Sequence, residues 1–467
     1  MKPTAFSWIL ASLTVLLFTS YGHAADITAT GSGNWSSTVP DAPWPGGIIP
    51  GSNDDIDVES PFTVTVDTNE TIQYMYGSGA VIMGSGITLN VVGDPAGAEG
   101  TYELSDLDAT AHGNTIIYSG NPFWASHQNY YNLVFSNTVT TSTLDFYNGY
   151  VNTQDPAAAM NIAGNLSVIG KIKVQQGADF NIGGSLVLDT DAQWDCSSFN
   201  LTVAGNLTVG TGALLLDLDG ALGSNNIEGN FLVASTALGW NISDVTQWAI
   251  GGSLTNNGLI VGKGYGSITF YGTGAIAGSK TLTIPTLTIN GTSQVGTSIV
   301  LTTNTPTLNG TLVFDLARTN GITLPAYVGT DLYYSGNLDV INTGPVPVSG
   351  KTYRLFYAPG FGGAFTSESL PALPAGLSWV DNTLVNGSIT VAGTANAGSP
   401  VLAAIQNGRT LTLSWDAATY PGYSVEAQTN AAGIGNTWTH VANGSVSPYT
   451  ATLNPSNLPV FYRLSNP

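Results

Sequence analysis

Cysteine is almost absent from this sequence, which has a single one, Cys196, in 467 residues. No intramolecular disulfide can form, so the stability of the chain must come from packing and hydrogen bonding. Cys196 follows Trp194 and Asp195, and no histidine lies near it in the sequence. We therefore expect a small buried side chain at this position and not a nucleophile.

Positive charge is also scarce. Lys and Arg total 10 against 30 Asp and Glu, which gives a net charge of -20. Nucleic acid and anionic lipid both require clustered cations, so the composition excludes them as partners. Charged residues make up only 9% of the chain, and Ser, Thr, Asn and Gly fill the polar positions instead. This composition is typical of exposed sheets joined by tight turns.

Recognisable reaction motifs are lacking as well. The sequence contains no phosphate-binding loop, no Cys/His spacing of a metal site and no serine-nucleophile elbow. His112, His127 and His440 lie outside any motif. No amphipathic helix of ordinary length is predicted, because the runs of Val, Ile, Leu, Thr and Tyr alternate or are interrupted by Gly and Asn.

Residues 1–24 have the pattern of a secretory signal peptide. Lys2 supplies the positive start, residues 8–18 form an apolar run, and Gly22 and Ala24 are small residues before the cleavage point. The apolar run is too short for a comfortable membrane span, and no second one follows. We expect cleavage after about Ala24 and export to the extracellular space or outer cell surface, with no membrane span in the mature chain.

A repeat organises residues 161–256. Each copy has five positions in order: an aliphatic residue, any residue, a glycine, either Asn or Ser, and either Leu or Phe. A period of 20 to 24 residues with strand chemistry predicts a solenoid of stacked coils. The glycines share the parity of the apolar residues, so we expect each to mark a bend between two short strands. They are Gly164, Gly184, Gly205, Gly229 and Gly252.

The predicted fold is all-β: a right-handed parallel β-helix followed by a small C-terminal β-sandwich. The right hand is expected from the general preference of parallel crossovers. After the leader we expect an N-terminal cap at 25–60, β-helix repeats at 61–345, a solenoid-closing β module at 346–393, a linker at 394–400 and the sandwich at 401–467. Trp415, Tyr423, Val425, Trp438 and Phe461 are the predicted sandwich core.

Three parts of the chain resemble a known family. The glycine-marked repeats resemble the autotransporter-associated β-strand repeats of bacterial surface proteins. The segment from Lys351 to Val391, with GKTYRLFYA, LPALPAGLSW and LVNGSITV, is similar to the end of many such proteins of Verrucomicrobia and Planctomycetes. The tail, with GYSVEAQTN, TWTHV and FYRL, resembles an immunoglobulin or fibronectin type III-like module. The resemblance implies an exported β-helical surface protein, without a reaction assigned to its residues.

Acidic turns are the candidate metal ligands. Asp54, Asp55 and Asp57 cluster near the N terminus, and Asp189 and Asp191 lie in one coil. Calcium takes six to eight oxygen ligands, which stacked turns can supply. The glycine and aspartate nonapeptide of calcium β-rolls and the EF-hand loop are both absent from the sequence. We therefore expect no cofactor, with calcium binding by these five aspartates as the alternative.

Catalysis and sugar binding are the two further alternatives. Many β-helix proteins are polysaccharide lyases or hydrolases that use paired acids or a Lys or Arg base. Here Asp189, Asp191 and Asp195 are the candidate acids, with Lys171 and Lys173 about one coil earlier. Aromatic residues crowd between 118 and 150, and exposed rings there would stack on sugars. Trp124 and Tyr131 are the candidate sugar-binding residues.

The sequence thus favours a secreted or cell-surface structural or adhesive protein without catalytic activity. The alternatives are a carbohydrate-active β-helix enzyme and a carbohydrate-binding protein without catalysis. The expected partner is extracellular polysaccharide or cell-surface matrix.

Overall fold

The structure is a computed structural model that describes most of the chain. The described residues are 25–93, 104–119, 129–145, 159–196, 199–216, 223–242, 246–262, 266–318, 322–323, 331–393, 400–418, 420, 422–429, 433–454 and 459–465. The predicted leader, Trp124 and the predicted linker up to residue 399 lie outside them.

The chain forms two compact units. The first consists of Met1–Val340 and Phe356–Ser369, and the second of Ile341–Leu355 and Leu370–Pro467. The segment 346–393, expected as one closing module, contributes strands to both units.

The first unit is the predicted parallel β-solenoid. A coil contributes a short strand to each of three parallel sheets, here called faces A, B and C. Each strand pairs in parallel with its counterparts in the coils before and after, as Leu186–Asp189 does with Leu166–Gln175 and Leu207–Val209. The expected all-β class is confirmed, because parallel pairings of this kind continue through the unit.

The strands are assigned to the faces in stacking order. Face A contains Gly33–Asn34, Thr63–Val66, the second part of Tyr74–Met83, Leu104–Asp108, Asn129–Tyr130, Met160–Ile162, Phe180–Ile182, Leu201–Val203, Ser224–Ile227, Gln247–Ile250, Ser267–Phe270, the second parts of Leu282–Ile289 and Leu301–Leu308, Leu332–Tyr334 and Phe361–Gly363. Face B contains Glu70–Ile72, Thr88–Val91, Thr115–Ser119, the first parts of Asn132–Asp145 and Leu166–Gln175, Leu186–Asp189, Leu207–Val209, Phe231–Val233, Leu254–Asn256, Thr273–Gly278, Thr292–Val295, Thr311–Asp315, Asn337–Ile341 and Ser367–Ser369. Face C contains Asp26–Thr28, Asp55–Asp57, the first part of Tyr74–Met83, the second parts of Asn132–Asp145 and Leu166–Gln175, Gln193–Asp195, Leu214–Leu216, Gly239–Ile242, Ile260–Gly262, the first parts of Leu282–Ile289 and Leu301–Leu308, Ile322–Thr323 and Phe356–Tyr357.

The solenoid core is formed by every second residue of these strands. Leu166–Gln175 alternates strictly between buried and partly exposed side chains, as period-2 strands do when one side faces a core. Aromatic rings fill the middle coils: Phe231 lies 4.5 Å from Trp240 and Trp240 lies 4.9 Å from Trp248, between ring centroids. Cys196 is buried, as predicted.

The repeated glycines lie at the corner between faces A and B, which confirms the predicted bend. The Gly205 nitrogen donates to the Gly184 oxygen of the coil before, at 2.7 Å. A Cβ atom on Gly205 would lie only 2.6 Å from that oxygen. Glycine is needed here because the backbones of successive coils approach too closely for a side chain.

The Asn or Ser after each glycine has a structural role of its own. The side-chain oxygen of each accepts a hydrogen bond from the backbone nitrogen of its counterpart one coil later. The donor–acceptor distances are 2.8 Å for Ser185 to Asn165, 3.0 Å for Asn206 to Ser185, 2.8 Å for Asn230 to Asn206 and 2.8 Å for Ser253 to Asn230. This ladder satisfies the corner amides that the bend removes from the sheets.

Two tryptophans fill the N-terminal region. Trp35 and Trp44 are fully buried with ring centroids 4.8 Å apart, and the Trp44 indole donates to the Trp35 oxygen at 2.8 Å. The loop that carries them includes the 3-10 helix Pro45–Gly47. Residues 25–60, expected as a cap, also supply strands to faces A and C.

The described residues of the second unit form three small antiparallel sheets and one short helix. One sheet has the order Thr352–Arg354, Ser388–Gly393 and Leu377–Asn382, beside the helix Thr383–Asn386. The other two are the sheets of the predicted C-terminal sandwich. They contain Ala403–Asn407, Thr410–Ser414 and Tyr449–Thr452 in one sheet and Thr439–His440, Ser424–Thr429 and Val460–Ser465 in the other.

The sandwich core contains part of the predicted set. Leu413, Trp415 and Val425 are buried together, and Tyr423 packs against them. The prediction is wrong for Trp438 and Phe461, which are half-exposed and lie outside this cluster.

Candidate functional site

The outward side of face A carries two columns of uncharged side chains. Their members lie in register from coil to coil and are mostly hydroxyl or amide side chains. The first column contains Ser224, Gln247, Ser267, Thr286 and Thr305. The second contains Asn129, Asn161, Asn181, Thr202, Asn226, Ala249, Thr269, Thr288 and Thr307.

Faces B and C differ from face A in their outward residues. The half-buried outward positions of face B include Ile169, Val187 and Leu232. Face C carries Lys171 and Lys173 on its outward side. Between Asn129 and Thr307 the two columns of face A are therefore a nearly continuous row of neutral hydrogen-bonding groups, whereas the earlier strand Leu104–Asp108 exposes Asp106 and Asp108.

Two exposed tyrosines border the columns of face A. Tyr333 is 67% exposed on the strand next to Leu301–Leu308. Tyr271 is 42% exposed at the corner of faces A and B, where its ring lies against the position of Gly251. Its hydroxyl reaches Asn226 of the second column, two coils earlier, and partial burial together with Glu228 raises the pKa of this hydroxyl.

Of the predicted sugar-binding residues, Tyr131 lies at the same corner of faces A and B as Tyr271, in a coil nearer the N terminus. Tyr131 is half-buried at a corner, with its ring centroid 4.8 Å from that of His112 and its edge close to Gly164. Trp124 lies outside the described residues. Sequence reasoning did not select Tyr271 or Tyr333, because exposure within a strand repeat depends on coil register.

The N-terminal calcium candidates point to different partners. The Asp54 carboxylate accepts a hydrogen bond from the Gly51 nitrogen at 2.7 Å. Asp55 and Asp57 lie on the outward side of face C, where the register places Asp55 beside Asp26 and Asp57 beside Thr28. The Thr28 hydroxyl donates to Asp57 at 3.3 Å.

Two side chains of this outward patch, Asp57 and Tyr76, have raised pKa values. Partial burial, followed by repulsion from Glu59 and Asp26, raises the pKa of the Asp57 carboxyl. Partial burial and a 3.1 Å hydrogen bond to Asp26 raise the pKa of Tyr76 to about 12. Burial and the neighbouring carboxylates therefore disfavour the charged form of Asp57.

The second group of aspartates is distributed over two faces and the turn between them. Asp189 ends a strand of face B and accepts hydrogen bonds from the Thr190 and Thr211 nitrogens at 2.8 and 2.9 Å. Asp191 is exposed in the next turn with a φ of 70°. Asp195 is buried at the end of a face C strand, where its register partner is Gln175, and Lys171 and Lys173 lie on the outward side of the same sheet. In the part of the chain that the structure describes, no three His, Cys, Asp or Glu side chains are grouped to hold a metal ion.

An ionic cluster around the buried Glu426 of the sandwich was not predicted. Glu426 is only 7% exposed, and Arg463 donates to its Oε2 through Nη2 at 2.7 Å and Nε at 2.8 Å. His440 Nε2 lies 3.3 Å from Glu426 Oε1, and His440 Nδ1 lies 3.0 Å from the Ser424 hydroxyl. The ring of Trp438 covers the Arg463 guanidinium at 4.5 Å.

This cluster has the residue types of a nucleophilic triad but a structural arrangement. The guanidinium of Arg463 already compensates the Glu426 carboxylate, so the carboxylate is not reserved for His440. Ser424 begins the strand Ser424–Thr429 and does not lie at a strand-to-helix turn of the kind that carries a serine nucleophile. The sequence signal was the alternation Ser424, Glu426, Gln428, which places three polar side chains on one side of a strand.

Comparison with known proteins finds no family model, no curated protein and no solved structure that matches the chain. Among the described residues, no helix has the length and hydropathy needed to cross a membrane.

Proposed function

We propose that this chain is an exported, non-catalytic β-solenoid that acts as a structural or adhesive protein at the cell surface. The observation that carries the proposal is face A, with its two long columns of uncharged polar side chains. Such a surface offers many weak hydrogen bonds over several coils, which suits adhesion better than a reaction at one point.

Two further features support this proposal. The candidate acid Asp189 accepts backbone hydrogen bonds at the end of a face B strand, whereas Asp195 is buried on face C. Acid–base catalysis needs its groups around one reacting atom. Residues 1–24 have the pattern of a signal peptide, and the glycine-marked repeats resemble those of bacterial surface proteins.

The proposal is tested by export and adhesion of the full chain. We expect a bacterial host to export it and to remove the leader after Ala24, as read by intact-mass spectrometry. We also expect beads coated with the purified product to attach to extracellular matrix scraped from bacterial biofilms. Beads that carry the heat-unfolded protein are the control. Retention in the cytoplasm, or equal attachment of folded and unfolded protein, would contradict the proposal.

A further inference from the structure

The spacing of the face A columns is set by the backbone. Neighbours within a column lie one coil apart, about 4.8 Å, and the two columns lie two residues apart along each strand, about 7 Å. One coil therefore corresponds to about one sugar ring of an extended polysaccharide. A chain laid along the stacking direction would meet similar groups at each ring.

The chemistry of the columns selects an uncharged ligand. Hydroxyl and amide side chains both donate and accept hydrogen bonds, as sugar hydroxyls do. From Ser224 to Thr305 the first column contains neither a cation to hold an acidic sugar nor a carboxylate. The net charge of -20 further disfavours an anionic polymer.

The tyrosines give this face the apolar surface that sugar rings require. Tyr333 exposes its ring at the C-terminal end of the columns, and Tyr271 lies along their border with its hydroxyl at Asn226. Aromatic side chains with one polar end bind partners that are apolar on one face and polar at the rim. The two tyrosines lie on strands three coils apart, so a chain of several sugars is needed to contact both.

We propose that face A binds an uncharged linear polysaccharide laid along the stacking direction of the coils, with Tyr271 and Tyr333 as its stacking residues. This inference rests on the proposed adhesive function and names the partner of that surface.

The test is affinity gel electrophoresis of the full exported chain. The gels contain mixed-linkage β-glucan, xyloglucan or galactomannan as neutral polymers, and alginate or polygalacturonate as anionic ones. We expect retardation by at least one neutral polymer and by neither anionic polymer. Thr288→Glu and Tyr333→Ala should each weaken the apparent affinity about tenfold or more, because they alter one face that acts through many contacts.

A matched variant on another face provides the control. Thr255 is a half-buried outward threonine in the middle of a strand of face B, as Thr288 is on face A. Thr255→Glu should therefore leave retardation unchanged. Equal losses for the two glutamate variants would overturn the assignment to face A. Retardation only by anionic polymers, or by no polymer, would overturn the inference. Attachment of the coated beads to biofilm matrix tests the proposed adhesive function separately.

Discussion

Replacing Gly205 by alanine should destabilise the solenoid around its corner. The new Cβ atom would lie 2.6 Å from both the Gly184 oxygen and the Ser185 hydroxyl, where real Cβ contacts stay beyond 3.0 Å. The two coils must therefore move apart by several tenths of an ångström. This shift lengthens the 2.7 Å hydrogen bond between the Gly205 nitrogen and the Gly184 oxygen.

The size of the effect follows from two contributions. Overpacking typically costs about 1–3 kcal/mol. A weakened backbone hydrogen bond adds about 0.5–1.5 kcal/mol. We therefore expect the free energy of local opening to fall by about 2–4 kcal/mol.

Hydrogen exchange read by mass spectrometry is the suitable assay, because repeat proteins open locally and do not always unfold in one step. Faster exchange is expected in peptides covering residues 184–230. Gly51→Ala is the matched control, since the nearest atom to its added Cβ is the Asp54 carboxylate at 3.7 Å. If both variants exchange alike, the reasoning about the corner is refuted.

Three other substitutions test separate parts of the structure. Asn206→Ala removes the acceptor of the Asn230 nitrogen and should lower the free energy of unfolding in urea by about 1 kcal/mol. Asn206→Ser keeps an acceptor oxygen and should retain most of that free energy. Equal losses for the two variants would contradict the structural role of the side-chain hydrogen bonds. Burial lowers the pKa of Arg318 to about 10, and its guanidinium donates a hydrogen bond to the Ile299 oxygen at 2.9 Å. Arg318→Ala should therefore lower the melting temperature more than Arg409→Ala, which alters the exposed sandwich surface. Asp57→Asn should raise the melting temperature at pH 7. The pKa of Asp57 is raised in the folded chain, so the fold loses stability as pH rises through that pKa and the carboxyl becomes charged. Asparagine carries no charge and avoids this loss. The gain should vanish near pH 3, where the carboxyl is protonated in both folded and unfolded chains, and a gain that persists there would contradict the cause assigned.

The architecture could be predicted because its causes are local. Gly205 recurs at coil spacing beside alternating apolar residues, and both signals are visible within one repeat. The role of Asn206 was hidden, since its side chain bonds to a nitrogen 24 residues further along the chain. The solenoid also continues through Phe356–Ser369, within the segment 346–393 that was predicted to form one closing module.

The candidate surfaces were harder to predict because they depend on register between distant segments. Tyr271 meets Asn226 only after two coils have stacked. Glu426 meets His440 and Arg463 across two strand pairs, and a single sequence does not specify these pairs. The five candidate aspartates were chosen by proximity in sequence, which does not determine the direction of their side chains.

The central hypothesis is that the outward faces of the solenoid bind polysaccharide without chemical reaction. The most direct measurement is the molar mass of soluble neutral and acidic polysaccharides after incubation with the full exported chain, with added calcium, by size-exclusion chromatography and light scattering. If the chain binds without catalysis, the molar masses of all polymers stay unchanged, including those of any polymer that retards the protein in gels. A fall in molar mass that disappears when Asp189 and Asp191 are both replaced by asparagine would contradict it.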